Sequence, residues 1–245
     1  MIKKILLVIA AVIVIAVILE AIALVHERNS LTSFAAYWKQ QNVTATGEFT
    51  YVALGDSTAQ GIGAGKPTDS YVGILAERIA KQTGKKVRFI NLSVTGAKIR
   101  DVIDKQIPEL KQYKPDLVTI EAGANDIPRF DEKQFARDFT ELAGLLPSGT
   151  YVSDMPYFGG RLSKNPEALA ASASIHTSVQ AHNLKLVHLQ NVTRDRDSLR
   201  VYAADMFHPS SRGYQNWADA FWIVIQPDLV QPTKPEVPRL SALRS

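Results

Sequence analysis

The longest apolar stretch of the chain comes first. Ile5–Leu19 is fifteen apolar residues without a break, and after Glu20 the run resumes as Ala21-Ile22-Ala23-Leu24-Val25. Read as one helix, Ile5–Val25 is about 30 Å long, close to the thickness of a hydrocarbon core. Helices of soluble proteins keep a polar face, and this stretch has none. Ala21-Ile22-Ala23 has the small-x-small form of a signal cleavage site, but Leu24 and Val25 carry the apolar run past it. A retained signal anchor is therefore favoured over a cleaved signal peptide. On either reading Lys3 and Lys4 stay inside and the rest of the chain is exported. The expected location is the cell membrane, single-pass with an extracytoplasmic domain, or secretion if the segment is removed. Residues 1–28 form the anchor, and 29–48 a polar juxtamembrane linker or short helix with scattered aromatics (Phe34, Tyr37, Trp38).

From Phe49 the pattern changes to short apolar runs alternating with amphipathic stretches. Strands are predicted at Phe49–Leu54, Lys86–Leu92, Asp116–Ala122, Thr150–Met155 and Leu184–Leu189. Helices are predicted at Ser70–Thr83, from Lys98 toward Pro108, and at Glu132–Leu146, Pro166–Asn183 and Pro209–Ile225. In Glu132–Leu146, Phe135, Phe139, Leu142 and Leu146 recur at helical spacing, and Trp217, Phe221, Val224 and Ile225 share one face of the last helix. Such alternation predicts a parallel sheet with helices on both faces. The 226–245 tail holds four prolines and no helical period, and is expected to be extended or disordered.

Composition narrows the function classes. A length of 245 residues suits one domain plus appendages. The net charge is only +4 and the basic residues are scattered, which argues against nucleic-acid binding. Cysteine is absent, which removes disulfides, thiolate metal sites and a cysteine nucleophile together.

The chemistry-bearing residues follow the predicted strands. The first strand ends in Gly55-Asp56-Ser57-Thr58, delivering a hydroxyl to the sheet's C-terminal edge. A serine needs a base. His26 belongs to the membrane flank, His176 and His182 fall in a helix, and His188 sits near a strand end. His208 lies in a loop, with Asp205 three residues earlier able to fix its tautomer. Gly96 follows the second strand, and Gly123-Ala124-Asn125-Asp126 the third. The backbone N–H groups of Ser57 and Gly96 and the Asn125 amide would supply donors to an oxyanion. Asp56 and Asp126 are expected to hold the serine turn and the Asn125 loop. Gly61–Lys66 lacks Walker spacing, and Ala59 breaks a Gly-x-Ser-x-Gly elbow. No pair of histidines has metal spacing with a carboxylate.

These four blocks together resemble the SGNH (GDSL-like) hydrolase superfamily, over about residues 49–225. The resemblance implies a flavodoxin-like three-layer α/β/α sandwich with a five-stranded parallel sheet, and esterase chemistry with no metal or other cofactor. It also implies Ser57 as nucleophile and first oxyanion donor, Gly96 and Asn125 as the other donors, and His208 as base oriented by Asp205. The usual leucine after the serine is Thr58 here, which bears on the pocket wall, and substrate choice is expected partly in Pro156–Ala170. The expected substrate is a lysophospholipid or short-chain ester taken in a shallow, open site. The alternatives are an O-acetyl esterase or acyltransferase on surface polysaccharide, and an anchored binding module without catalysis.

Overall fold

The computed structural model describes residues 2–230. Helix α1 runs without interruption over Ile2–Thr44. There follow β1 (Phe49–Gly55), α2 (Ser57–Gln60), α3 (Tyr71–Thr83) and β2 (Val87–Asn91). Helix α4 (Ile99–Asp101) passes through a π-turn at Val102–Gln106 into α5 (Ile107–Leu110). The remainder is β3 (Leu117–Glu121), α6 (Glu132–Leu145), β4 (Tyr151–Ser153), α7 (Asn165–Ala181), β5 (Lys185–Val187), α8 (Leu189–Asp195) and α9 (Ser211–Leu229).

All five strands are parallel, in the order β2-β1-β3-β4-β5. Tyr51 pairs with Phe89 on one side and Leu117 on the other, so β1 is fixed in the sheet's interior. Every residue of β3 is buried, as expected of a parallel strand covered on both faces. One core packs Phe135, Phe139, Ile175 and Val179 against the sheet, and the other packs Tyr71, Leu75, Trp217 and Phe221. The chain leaves β1 toward β2 and later builds outward in the opposite direction from β3. The crevice at the C-terminal ends of β1 and β3 is therefore the switch point where open α/β sheets bind ligands.

Three sequence readings need correction. First, residues 29–44 are helical, the short-helix alternative, but they continue α1 rather than forming a separate element. Glu27, Ser30, Phe34 and Trp38, at spacings of three, four and four, are buried against the domain, so one face of the helix docks. Ile5–Val25, by contrast, leaves its large apolar side chains exposed to solvent. Among the described residues α1 is the one helix long and apolar enough to cross a membrane. Asn42 donates to the backbone oxygen of Asn91 (2.8 Å) and accepts from its N–H (2.9 Å), closing the free edge of β2. Second, residues 226–229 continue α9, with Pro227 inside it; 231–245 lie outside the described residues. Third, His188 and Leu189 lie beyond β5, which ends at Val187, and Leu189 opens α8.

Candidate active site

Gly55 ends β1 at φ +142°, and a Cβ there would collide with the carbonyl oxygen of Glu121, so only glycine lets β1 approach β3 and still turn. Gln106, from the π-turn, brackets Gly55, accepting from its N–H (3.0 Å) and donating to its carbonyl (2.8 Å). Asp56 then caps α2, its Oδ1 accepting from the Thr58 N–H at 2.9 Å. Ser57 thus opens a single helical turn at the switch point and is itself largely buried.

Ser57, His208 and Asp205 converge. His208 Nε2 lies 2.9 Å from Ser57 Oγ, and His208 Nδ1 lies 2.8 Å from Asp205 Oδ2. The other carboxylate oxygen of Asp205 accepts from the Phe207 and His208 N–H groups, and Met206 takes φ +56° to close this turn. Burial disfavours a charge on His208, but bonds to Asp205 and Glu27 outweigh it, and its pKa is pushed up to about 9. Asp205 feels the same conflict. Burial opposes its charge, but the bonds it accepts hold it well below the usual carboxylate range. A hydroxyl, an imidazole and a carboxylate in this series can move a proton off the serine as it attacks a carbonyl.

Glu27 was not anticipated. It comes from α1, and its Oε1 lies 3.2 Å from His208 Nδ1 while Oε2 accepts from the Asp205 N–H at 3.2 Å. His26, assigned from sequence to the membrane flank, reaches the domain too, its Nε2 3.3 Å from the Ala64 carbonyl. The signal was present in the spacing of Glu27, Ser30, Phe34 and Trp38, which marks a docked helix face once the apolar run before it is set aside.

Asn125 sits between the loops. Its Nδ2 donates to Asp56 Oδ2 (2.9 Å) and to the Ala97 carbonyl (3.1 Å), so both its hydrogens are engaged within the protein. It thereby ties the serine turn to the loop carrying Gly96, which is exposed at φ +79°. Asp126 accepts from the Ile99 N–H at 3.2 Å, a structural contact of the kind expected for it. Thr58 is also structural. Its hydroxyl lies 2.6 Å from Glu121 Oε2 and 3.0 Å from Asp56 Oδ1, with both carboxyls buried. Burial, and then the charge of Asp56, push Glu121 well above the carboxylate range.

The pocket beside Ser57 is walled by Phe158, Leu162, Val201, Phe207 and Trp217. The flanks of Ser57 in the sequence suggested a shallow and open site, but the apolar wall comes from distant segments. Of Pro156–Ala170, singled out for substrate choice, Pro156, Tyr157, Phe158, Gly160 and Leu162 contribute directly to it. The fold also assembles a carboxylate with two histidines that sequence spacing had set aside. His176 Nε2 lies 3.0 Å, and His188 Nδ1 3.5 Å, from Asp154 Oδ2. Residues 22 and 34 positions from Asp154 become neighbours only after α7 and β5 pack together. Asp154, His176 and His188, or Glu27, Asp205 and His208, are the groups among the described residues whose donors converge closely enough to hold a metal ion.

Residues 53–215 match the model of the GDSL-like Lipase/Acylhydrolase family, about two thirds of the chain. No curated protein matches the sequence. Among solved structures, the lipase/acylhydrolase from Enterococcus faecalis is 21% identical with a TM-score of 0.63, over 76% of this chain and 99% of its own. TesA gives 21% and 0.63, over 74% and 99%. The acetylxylan esterase Axe2 from Geobacillus stearothermophilus gives 19% and 0.59, over 76% and 98%. At these identities the likeness is one of fold.

Proposed function

Because the chain belongs to the GDSL-like lipase/acylhydrolase family and is an ester-hydrolysing serine hydrolase, we propose that Ser57 is its nucleophile, His208 its base and Asp205 the residue that orients the base. The observation that carries this reading is the unbroken series from Ser57 Oγ through His208 to Asp205, at 2.9 and 2.8 Å. Ser57 Oγ bonds to the ester carbonyl carbon as its proton passes to His208 Nε2. The imidazolium returns that proton to the leaving alcohol as the ester C–O bond breaks. Water then attacks the acyl-serine, giving a proton to His208, and the imidazolium returns it to Ser57 Oγ as the acyl C–Oγ bond breaks and the carboxylic acid leaves. Backbone N–H groups of Ser57 and Gly96 bind the oxyanion. Asn125 joins them by turning a hydrogen from the Ala97 carbonyl as charge develops, a bond that tightens only with substrate present.

The substrate is a carboxylic ester whose acyl group enters the apolar pocket, a lysophospholipid or a short-chain acyl ester. The enzyme is held at the cell membrane by Ile5–Val25, with residues 49–225 forming an extracytoplasmic hydrolase domain. An exposed apolar segment joined by unbroken helix to the buried Glu27 supports this arrangement. A second reading, O-acetyl ester cleavage or acyl transfer on surface polysaccharide, draws on the acetylxylan esterase among the structures of like fold. A chain-length series of nitrophenyl esters, run on the full chain in detergent, separates the two. Hydrolysis that rises beyond acetate toward medium chains supports the lipid-type ester, and activity confined to acetate supports the second reading. Absence of hydrolysis across the whole series contradicts both.

A further inference from the structure

Resting on that reading of the active site, we infer that Glu27 is a positioning residue for the catalytic base, supplied by the membrane-anchor helix rather than by the hydrolase domain. Glu27 is 7% exposed, and its two oxygens divide between His208 Nδ1 and the Asp205 N–H. It thus fastens both ends of the Asp205–His208 turn to α1. The docked face below it is secured separately. Trp38 Nε1 donates to the Gln60 carbonyl (2.9 Å), and Phe34 is buried. Glu27 lies only two residues past Val25, about 3 Å along the helix axis from the end of the apolar stretch. The same contact that orients the base therefore sets the catalytic centre close to where the anchor leaves the bilayer. The centre is complete only while α1 is docked.

The groups facing His208 are Asp205 on its own loop, Glu27 on α1 and Asp56 in the serine turn. Both Glu27 and Asp205 favour the imidazolium, whereas the base must be neutral to accept the serine proton. Activity therefore rises with pH through the histidine's pKa, and the acid limb of kcat/KM falls above the ordinary histidine value of about 6.5. Removing one carboxylate within this range lowers a partner's pKa by about 1 or more.

The test is the pH profile of the full chain in detergent for wild type, Glu27→Gln, Glu27→Asp and Ser57→Ala. Glu27→Gln moves the acid limb down by about one pH unit or more and lowers the alkaline plateau. Glu27→Asp keeps the charge and holds the limb near wild type. A Glu27→Gln limb superimposable on wild type, with Ser57→Ala inactive, overturns the inference alone. Undiminished turnover by Ser57→Ala overturns the reading on which it rests. The wild-type profile is a check that no folding defect can obscure, and a limb at or below 6.5 also counts against a second carboxylate on His208.

A separate observation carries a second proposal. The geometry points to a divalent zinc-class site at Asp154, His176 and His188. The three donor atoms all lie within 4.8 Å of one another, with His176 and His188 at 3.0 and 3.5 Å from one oxygen of Asp154. Ligands bound at about 2.0–2.2 Å in a tetrahedron stand roughly 3.3–3.6 Å apart, so little movement would admit the ion. Asp154 is buried and its other oxygen accepts from the Gln190 N–H (2.9 Å), which holds Oδ2 toward the imidazoles. Both imidazoles are partly exposed, leaving room for water as a fourth ligand. The ligands come from the end of β4, from α7 and from the β5–α8 junction, and Pro156 of the pocket wall lies two residues beyond Asp154. The ion would therefore brace that wall.

Zinc titration of the chelator-treated full chain by calorimetry, with cobalt as a spectroscopic probe, tests it. One equivalent binds, with tetrahedral cobalt absorption, and binding is lost in the His176→Ala/His188→Ala double variant. No stoichiometric binding by wild type, or binding undiminished in the double variant, overturns the proposal.

Discussion

Replacing Glu121 by glutamine probes the protonation state of the layer beneath the serine turn. Glu121 is 1% exposed, its Oε2 meets the Thr58 hydroxyl at 2.6 Å, and its Oε1 has no partner among the described residues. Thr58 has one hydroxyl hydrogen for two buried carboxyls. With Glu121 neutral, its own O–H can donate to Thr58 Oγ1, which passes its hydrogen to Asp56 Oδ1. The folded pKa of Glu121 is raised by burial and by Asp56. Above about pH 4.5 the unfolded chain has released a proton that the folded protein still binds, so wild-type stability falls with rising pH up to the folded pKa. The slope for one proton is roughly 1.4 kcal/mol per pH unit. Glutamine cannot titrate, and Glu121→Gln lacks this slope. From about pH 4.5 up to the raised folded pKa the variant should gain on wild type at up to roughly 1.4 kcal/mol per pH unit, or about 3–6 °C in relative Tm per pH unit for a domain of this size. Thermal unfolding of both full-length proteins, followed by tryptophan fluorescence at each pH, measures the difference. Parallel Tm profiles would refute a neutral Glu121.

Other variants test the site's support. Gly63→Ala places a Cβ 2.5 Å from the Pro209 carbonyl oxygen and 3.0 Å from His208 Cβ at φ +91°, displacing the base. It should lower kcat by about 10² or more while KM changes little, as measured by steady-state ester hydrolysis. Asn125→Ala removes the link between Asp56 and Ala97 together with the proposed oxyanion donor. A kcat loss on the order of 10²–10³ is expected, and a loss under tenfold would remove Asn125 from the oxyanion site. Trp38→Ala empties a site 3% exposed and deletes its bond to Gln60, at a cost of about 3–5 kcal/mol. Faster backbone hydrogen exchange should appear along 30–44 before it appears in the sheet, and uniform protection would contradict separate docking.

The strands were readable because parallel strands buried on both faces appear as short apolar runs. Tyr51–Leu54 is such a run, ending at Gly55, and Leu117–Ile120 is one broken only by Thr119, whose hydroxyl meets that of Tyr51 at 2.7 Å. Ser57, Asp205 and His208 could be named because a loop histidine with a carboxylate three residues away is a local pattern. Glu27 lies 181 positions from its partner and was masked by the stronger signal of the apolar run beside it. The pocket wall was equally hidden. Phe158, Phe207 and Trp217 belong to three different segments, and only sheet topology sets them around Ser57. Thr58 lines the pocket, as its place after the serine suggested, and its hydroxyl also serves the buried pair below.

The central claim is that Ser57 is activated by His208 in the folded chain, and covalent trapping tests it most directly. A fluorophosphonate should add one equivalent to the full-length protein, with peptide mapping placing the adduct on Ser57. Ser57→Ala should remain unlabelled, and His208→Ala should react far more slowly. An unlabelled wild type, or a Ser57→Ala variant labelled as well as wild type, would contradict the account.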